Sequence, residues 1–222
     1  ATAITLTVVE PTMNGLGGDG FALIWDGKKL HGMNASGRAP AAWTPEYFAG
    51  KAAMDLIGWN TVTVPGMVSG WIELSRKFGK LPFAQLFKRA IDYAENGFPV
   101  SPVIARQWRE AIPILKNQPG FSESFLIDGK SPQAGQIWKY PAQAKTLKEI
   151  AATEGESFYK GPLAQSMVDF AQATGGCFTM QDFADNQSEW VEPLAFDYGD
   201  YTLHEIPPNC SGLAAQIALG IL

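Results

Sequence analysis

The chain is 222 residues long, 46% hydrophobic and carries a formal charge of -5. It is long enough to bury one large core or two small ones and too apolar to be a disordered segment. An acidic balance with no basic run disfavours nucleic acid as the main partner, no apolar stretch reaches the roughly 20 residues of a membrane span, and two cysteines, Cys177 and Cys210, are too few for a disulfide scaffold or a thiolate zinc site.

Ala1 to Val9 is apolar, with no positive flank and no cleavage signal, and reads as the tail of a helix or strand. Pro11 to Gly20 is a Gly-rich loop. Phe21 to Trp25 and Lys28 to Met33 read as two strands joined by a type I′ turn at Asp26-Gly27. A polar loop, Asn34 to Pro40, follows, and Thr44-Pro45-Glu46 has the look of a helix start. Trp71, Leu74, Ser75 and Phe78 fall at helical spacing between Gly70 and the stop at Gly79. Phe83, Leu86, Phe87, Ala90, Ile91 and Ala94 form the cleanest amphipathic stripe, ended by Asn96-Gly97.

A helix is predicted over Pro102 to Leu115 and a loop over Gln118 to Ala134. Helices follow at Gln143–Ala152 and Pro162–Ala173, and Thr179 with Asp182 has capping-box spacing. Leu194–Phe196 and Tyr201–Ile206 read as strands around Tyr198-Gly199-Asp200, and a last helix runs from Ser211 to Leu222. Strands early, helices in the middle and strands late give an α+β pattern in which distant strands share a sheet. Helices running off both ends lead us to expect a piece of a larger polypeptide, folded as one domain over residues 1–222.

Few residues carry chemistry. Gly15-Leu16-Gly17-Gly18-Asp19-Gly20 precedes a strand, whereas a phosphate loop follows one and opens a helix. Its glycines point instead to a close backbone approach. His31 and His204 lack metal-spaced partners, and Ser36, Ser69 and Ser211 lie outside any Gly-x-Ser-x-Gly elbow. Arg38 stands apart. It sits in a loop between apolar elements with no acidic partner at i,i+4, where its fork of donors suits a carboxylate. The plainer alternative is a surface Arg bonding nearby carbonyls.

Several blocks resemble the large subunit of the γ-glutamyltranspeptidases. They are Val8-Val9-Glu10-Pro11, Gly15-Leu16-Gly17-Gly18-Asp19-Gly20-Phe21, Ser36-Gly37-Arg38-Ala39-Pro40-Ala41-Ala42, and Val64-Pro65-Gly66-Met67-Val68-Ser69-Gly70. Further along come Tyr93-Ala94-Glu95-Asn96-Gly97-Phe98-Pro99-Val100, Phe178-Thr179-Met180-Gln181-Asp182-Phe183, and Ile206-Pro207-Pro208-Asn209-Cys210-Ser211-Gly212. Their order and spacing hold over essentially the whole chain. Cephalosporin and glutaryl acylases with an N-terminal nucleophile share the pattern.

The resemblance implies an αββα sandwich of the N-terminal-nucleophile hydrolase type, made as an inactive precursor that cleaves itself. The new N-terminal Thr (Ser in some acylases) of a small subunit is then the nucleophile, with its own α-amine as base. The expected function is hydrolysis or transfer of γ-glutamyl amides such as glutathione through an acyl-enzyme. The alternatives are a cephalosporin or glutaryl acylase, or a non-catalytic relative serving as a binding subunit. The nucleophile is outside this sequence, so no catalytic residue is assigned within it. The implied partners are the small subunit and a small-molecule amide, with no metal or organic cofactor. Periplasmic, secreted and cytoplasmic locations all stay open.

One departure bears on substrate. The family pairs its donor's α-carboxylate with an Arg in the pattern Asp-Phe-Arg-Glu-x-Ala-Pro. Aligning Ala39-Pro40 with that Ala-Pro puts Ser36 at the Arg and Arg38 at the variable position. Either Arg38 takes over the carboxylate, or the pocket is changed and the donor is something else. Ser36 and Arg38 are the two candidate substrate-binding residues.

Overall fold

The computed structural model describes residues 1–222. The elements run, in order, α1 (Thr2–Val9), β1 (Gly20–Trp25), β2 (Leu30–Ala35), α2 (Met67–Phe78), α3 (Lys88–Asn96), β3 (Phe98–Pro99), α4 (Pro102–Leu115), α5 (Phe121–Phe125) and β4 (Ile137–Trp138). Then come α6 (Pro141–Ala152), α7 (Glu156–Lys160), α8 (Pro162–Ala173), α9 (Met180–Ala184), β5 (Glu189–Val191), β6 (Leu194–Tyr198), β7 (Tyr201–Glu205) and α10 (Gly212–Ile221). No helix is long and apolar enough to cross a membrane.

Most of the core is helical. One continuous cluster joins Ile4 and Val8 of α1, Val68 and Trp71 of α2, Ala90 and Ala94 of α3, Trp108 of α4, Leu147 and Ile150 of α6, and Ala164 and Val168 of α8. Trp108 and Phe87 are among its largest fully buried side chains, and each such burial stabilises by about 1.5–3 kcal/mol. The Trp108 indole donates to the Phe125 carbonyl at 2.9 Å, which satisfies its one polar atom. Helix starts follow local chemistry: Pro opens α4, α6 and α8, and the Ser101 hydroxyl caps α4 by accepting from Ile104 N–H.

The strands form one antiparallel sheet in the order β1-β2-β5, with two separate pairs, β3-β4 and β6-β7. The β2-β5 pairing joins Asn34 to Glu189, so distant strands share a sheet, but through β5; the two late strands that the sequence pattern offers, β6 and β7, pair only with each other. Side chains of directly opposed residues lie on one face. Phe21, Asn34 and Glu189 therefore share a face, together with Leu23, Gly32 and Val191. This outer face leaves Phe21 and Trp25 exposed. The other face buries Met33 and Ala35 toward α2, where a Cβ on Gly70 would stand 2.7 Å from that of Ala35.

Several local expectations are corrected. The segment opened by Thr44-Pro45-Glu46 is a run of turns, not a helix. Its i→i+3 bonds stop at Gly50, whose φ is 85°, and its residues are mostly exposed, so no apolar face rewards further winding. The first hairpin turns on Gly27-Lys28, one residue later than expected. Asp26 instead turns its carboxylate on the N–H groups of Lys28 and Lys29, both at 2.8 Å, and only Gly27 has positive φ, 97°. The return strand is thus Leu30–Ala35.

The stripe from Phe83 begins as a 3-10 turn, Phe83–Phe87, and becomes α-helical only at Lys88. The loop over Gln118 to Ala134 contains α5, and β5 is a strand the sequence reading lacked.

Candidate functional site

The loop that carries Ser36 and Arg38 leaves the end of β2 and is held by its backbone. Gly37 N–H donates to Asp19 Oδ1 at 2.9 Å, and the Arg38 carbonyl accepts from Val64 N–H at 3.0 Å. A Cβ on Gly37 would land on the Val64 carbonyl oxygen, and one on Gly66 would land on the Ala35 carbonyl oxygen. These two glycines let the 35–38 and 63–67 segments touch backbone to backbone, as no other residue could.

The Gly-rich loop before β1 is the third layer of this contact. The Gly18 carbonyl accepts from Met67 N–H at 3.0 Å, and a Cβ on Gly18 would crowd Gly15 and Met67 at 3.2 and 3.4 Å. The close approach read from its glycines is therefore one to the start of α2. Two of the first three N–H groups of that helix already have partners. Met67 N–H goes to Gly18, and Ser69 N–H goes to the Tyr159 phenol at 2.9 Å. Tyr159 in turn donates to the Pro65 carbonyl at 2.7 Å, and burial pushes its pKa up to about 12.

Ser36 lies at the centre of a small amide network. Its N–H donates to Asn34 Oδ1 at 2.9 Å, and its hydroxyl accepts from Asn209 Nδ2 at 2.7 Å. The Asn34 amide donates to Asn209 Oδ1 at 2.9 Å. Asn209 reaches the loop because its segment crosses the outer face of the sheet. Ile206 there is buried, with its Cδ1 3.2 Å from where a Cβ on Gly32 would sit. Ser36 has no basic group to take its proton, so it is a polar contact rather than an activated nucleophile.

Arg38 points away from this network. Its Nη2 contacts Glu189 Oε1, and both side chains are more than half exposed. The Arg-carboxylate partner is thus present in the chain itself, on β5. The sequence held no local sign of it, because Glu189 lies 151 residues away. Asn209 and Asp19 lie within the family-like blocks, whose sequence does not show which residues they meet.

The other titratable candidates lie elsewhere. His31 Nε2 contacts Asp26 Oδ2 at 2.8 Å at the far end of the hairpin and meets Phe78 edge-on. The Lys29 N–H, the His31 ring and the Lys28 N–H together hold the Asp26 carboxyl down at about 2. His204 is on β7, in a different sheet. Cys177 and Cys210 are free thiols. A cleft of about 560 Å³ lies on the α2 side of the sheet, between Ser69, Glu73, Tyr159 and Ser188, and a second of about 390 Å³ has Arg106, Arg109 and Lys130 on its walls. Neither includes Ser36 or Arg38.

The profile of the γ-glutamyltranspeptidase family matches residues 1–222. The glutathione hydrolase-like YwrD proenzyme of Bacillus subtilis is 36% identical over 225 residues, covering 100% of this chain and 43% of that protein. The oxamate amidohydrolase proenzyme of Klebsiella pneumoniae is 38% identical over 229 residues, with the same two shares. The crystal structure of cephalosporin acylase from Bacillus halodurans superposes with a TM-score of 0.93 at 44% identity, covering 99% of this chain and 43% of that one. The chain spans about two-fifths of the length of these relatives.

Proposed function

Because the chain belongs to the γ-glutamyltranspeptidase family, within the N-terminal-nucleophile hydrolases, we propose that it forms the large-subunit part of a self-processed amidohydrolase or acyl transferase. The leading substrate class is γ-glutamyl amides such as glutathione. In this reading a Thr or Ser at the start of a small subunit attacks the amide carbonyl and forms an acyl-enzyme. The acyl group then passes to water or to an amine. This chain supplies the floor of the donor site: the loop from Asn34 to Pro40, fixed by Asp19 and Val64, and the outer sheet face beside it.

The observation that carries this reading is the exposed outer face itself. Phe21 and Trp25 lie 42% and 64% exposed on the same face as Asn34 and Glu189. A protein layer laid over these aromatics would also close over Ser36 and Arg38. A small subunit from the same precursor is the layer we assign to it, in keeping with relatives that are proenzymes.

A second reading, an acylase for donors without the γ-glutamyl end, is favoured by Ser36. It stands where the family pattern has its carboxylate-pairing Arg. The deciding experiment is mass spectrometry of the native protein expressed from the full precursor. Two chains are expected, the second beginning with Thr or Ser. One intact chain would refute both readings and favour a non-catalytic binding subunit.

A further inference from the structure

We propose that the cleft between α4 and the loop before β4 binds a small phosphate-bearing ligand. Its volume is about 390 Å³, room for a molecule of metabolite size. Its walls hold three cations, Arg106, Arg109 and Lys130, and no carboxylate.

One wall is a single face of α4. Arg106 and Arg109 are three residues apart, so they are neighbours on the helix surface and their like charges repel. Ala105 and Ile112 continue the same face with apolar surface. The other wall is the chain from Gly129 to Ala134, and backbone bonds hold it in place. Ile127 and Lys130 exchange N–H to carbonyl bonds, each of 2.9 Å, around Asp128 and Gly129, both of which have positive φ. Gly135 N–H donates to the Val100 carbonyl at 2.8 Å, and Val100 N–H donates to the Gln136 carbonyl at 3.0 Å. Val100 is itself buried, two residues before α4 begins. Lys130 is therefore mounted on a fixed turn, on the opposite wall from the two arginines.

The chain is acidic overall, with a formal charge of -5, yet this cleft gathers cations and leaves them without an acid. None of the three belongs to any of the ion pairs in the chain. Ser131 and Gln133 add a hydroxyl and an amide to the loop wall as neutral donors. Cations on two walls suit a tetrahedral group whose oxygens point several ways. A flat carboxylate is filled by one guanidinium fork and leaves the other cations idle. A bound dianion also offsets the repulsion between Arg106 and Arg109.

The test is calorimetric titration of the protein, expressed from its full precursor, with inorganic pyrophosphate and, at the same ionic strength, with succinate. Pyrophosphate should saturate one site per copy of this chain and bind about tenfold or more tighter than succinate. Arg106→Gln and Arg109→Gln should each weaken pyrophosphate about tenfold, the loss of one charge-assisted hydrogen bond. The double variant should lose saturable binding. Both side chains are exposed, so its thermal midpoint without ligand should match the parent's. Lys130→Gln, on the loop, should weaken binding in the same direction without touching α4.

Pyrophosphate binding that never saturates, or that the double variant retains, overturns the proposal. So does succinate bound as tightly as pyrophosphate, which would make the cleft a general anion patch. The readout is binding rather than turnover, so the outcome stands whether or not the protein cleaves amides.

Discussion

Asp182 accepts the backbone N–H of Ala41 at 2.8 Å, across 141 residues of chain. The same carboxylate closes the capping box of α9, its other oxygen accepting from Thr179 N–H at 2.8 Å and from the Thr179 hydroxyl at 2.7 Å. One side chain thus starts a helix and ties down the stretch that follows the site loop.

Removing Asp182 should therefore cost more than removing the cap. Thr179→Ala is expected to lower stability by about 1 kcal/mol, the ordinary value of a lost N-cap. Asp182→Ala keeps the N–H that the Thr179 hydroxyl accepts but loses the returning half of the capping box and the Ala41 anchor together. Thermal midpoints of the processed enzyme measure this. Equal midpoints for the two variants would show that the Ala41 bond contributes nothing.

Gly37→Ala should be among the most damaging exposed-loop changes in the protein. The added methyl meets the Val64 carbonyl oxygen, which belongs to backbone and has nowhere to go. Overpacking of this kind costs about 1–3 kcal/mol. Arg38→Ala, one residue away, should leave the thermal midpoint almost unmoved, since its side chain is mostly exposed. A Gly37→Ala enzyme as stable as its parent would mean that the two backbone segments part easily.

Asn209→Ala should separate activity from stability. It removes the bond to Ser36 and the bond to Asn34 but no buried apolar contact. We expect kcat/KM to fall about tenfold, the order of one or two hydrogen bonds, with little change in midpoint. Full activity in this variant would place the amide network outside the site.

Tyr159 gives the protein a base-sensitive joint. Its folded pKa is raised to about 12 from the ordinary 10.0, with burial the main cause. Between those values the folded state binds more protons than the unfolded one, so stability falls as pH rises. It is fully present below pH 10 and lost progressively toward 12. Tyr140 shifts in the same direction for the same reason. Tyr159→Phe should remove one share of this loss while costing about 1–3 kcal/mol at neutral pH, because Ser69 N–H and the Pro65 carbonyl lose their partner. Midpoints recorded from pH 8.5 to 11.5 test both signs; a Phe variant with an unchanged slope would assign the alkaline loss to other groups.

What the sequence disclosed follows the range of each interaction. The α9 capping box was legible because Thr179 and Asp182 are three residues apart. The hairpin was legible, but its turn slipped by one residue, because Asp26 bonds forward to Lys28 and Lys29 instead of entering the left-handed region. The strand β5 was not legible: at three residues it has no period to detect, and it exists because Met33 and its neighbours on β2 offer it an edge. The site divides in the same way. Ser36 and Arg38 could be picked from their loop, whereas Glu189 and Asn209 become partners only once the chain has folded back on itself.

The contact between Gly37 and Val64 has one more consequence. It holds the loop by backbone, without calling on the side chains at positions 36 and 38, and so leaves those two letters free to change. A protein built this way can exchange one substrate for another by altering what the loop displays, with no need to rebuild the frame that displays it. Lineages that share this frame and differ at those two letters should differ in diet more than in architecture.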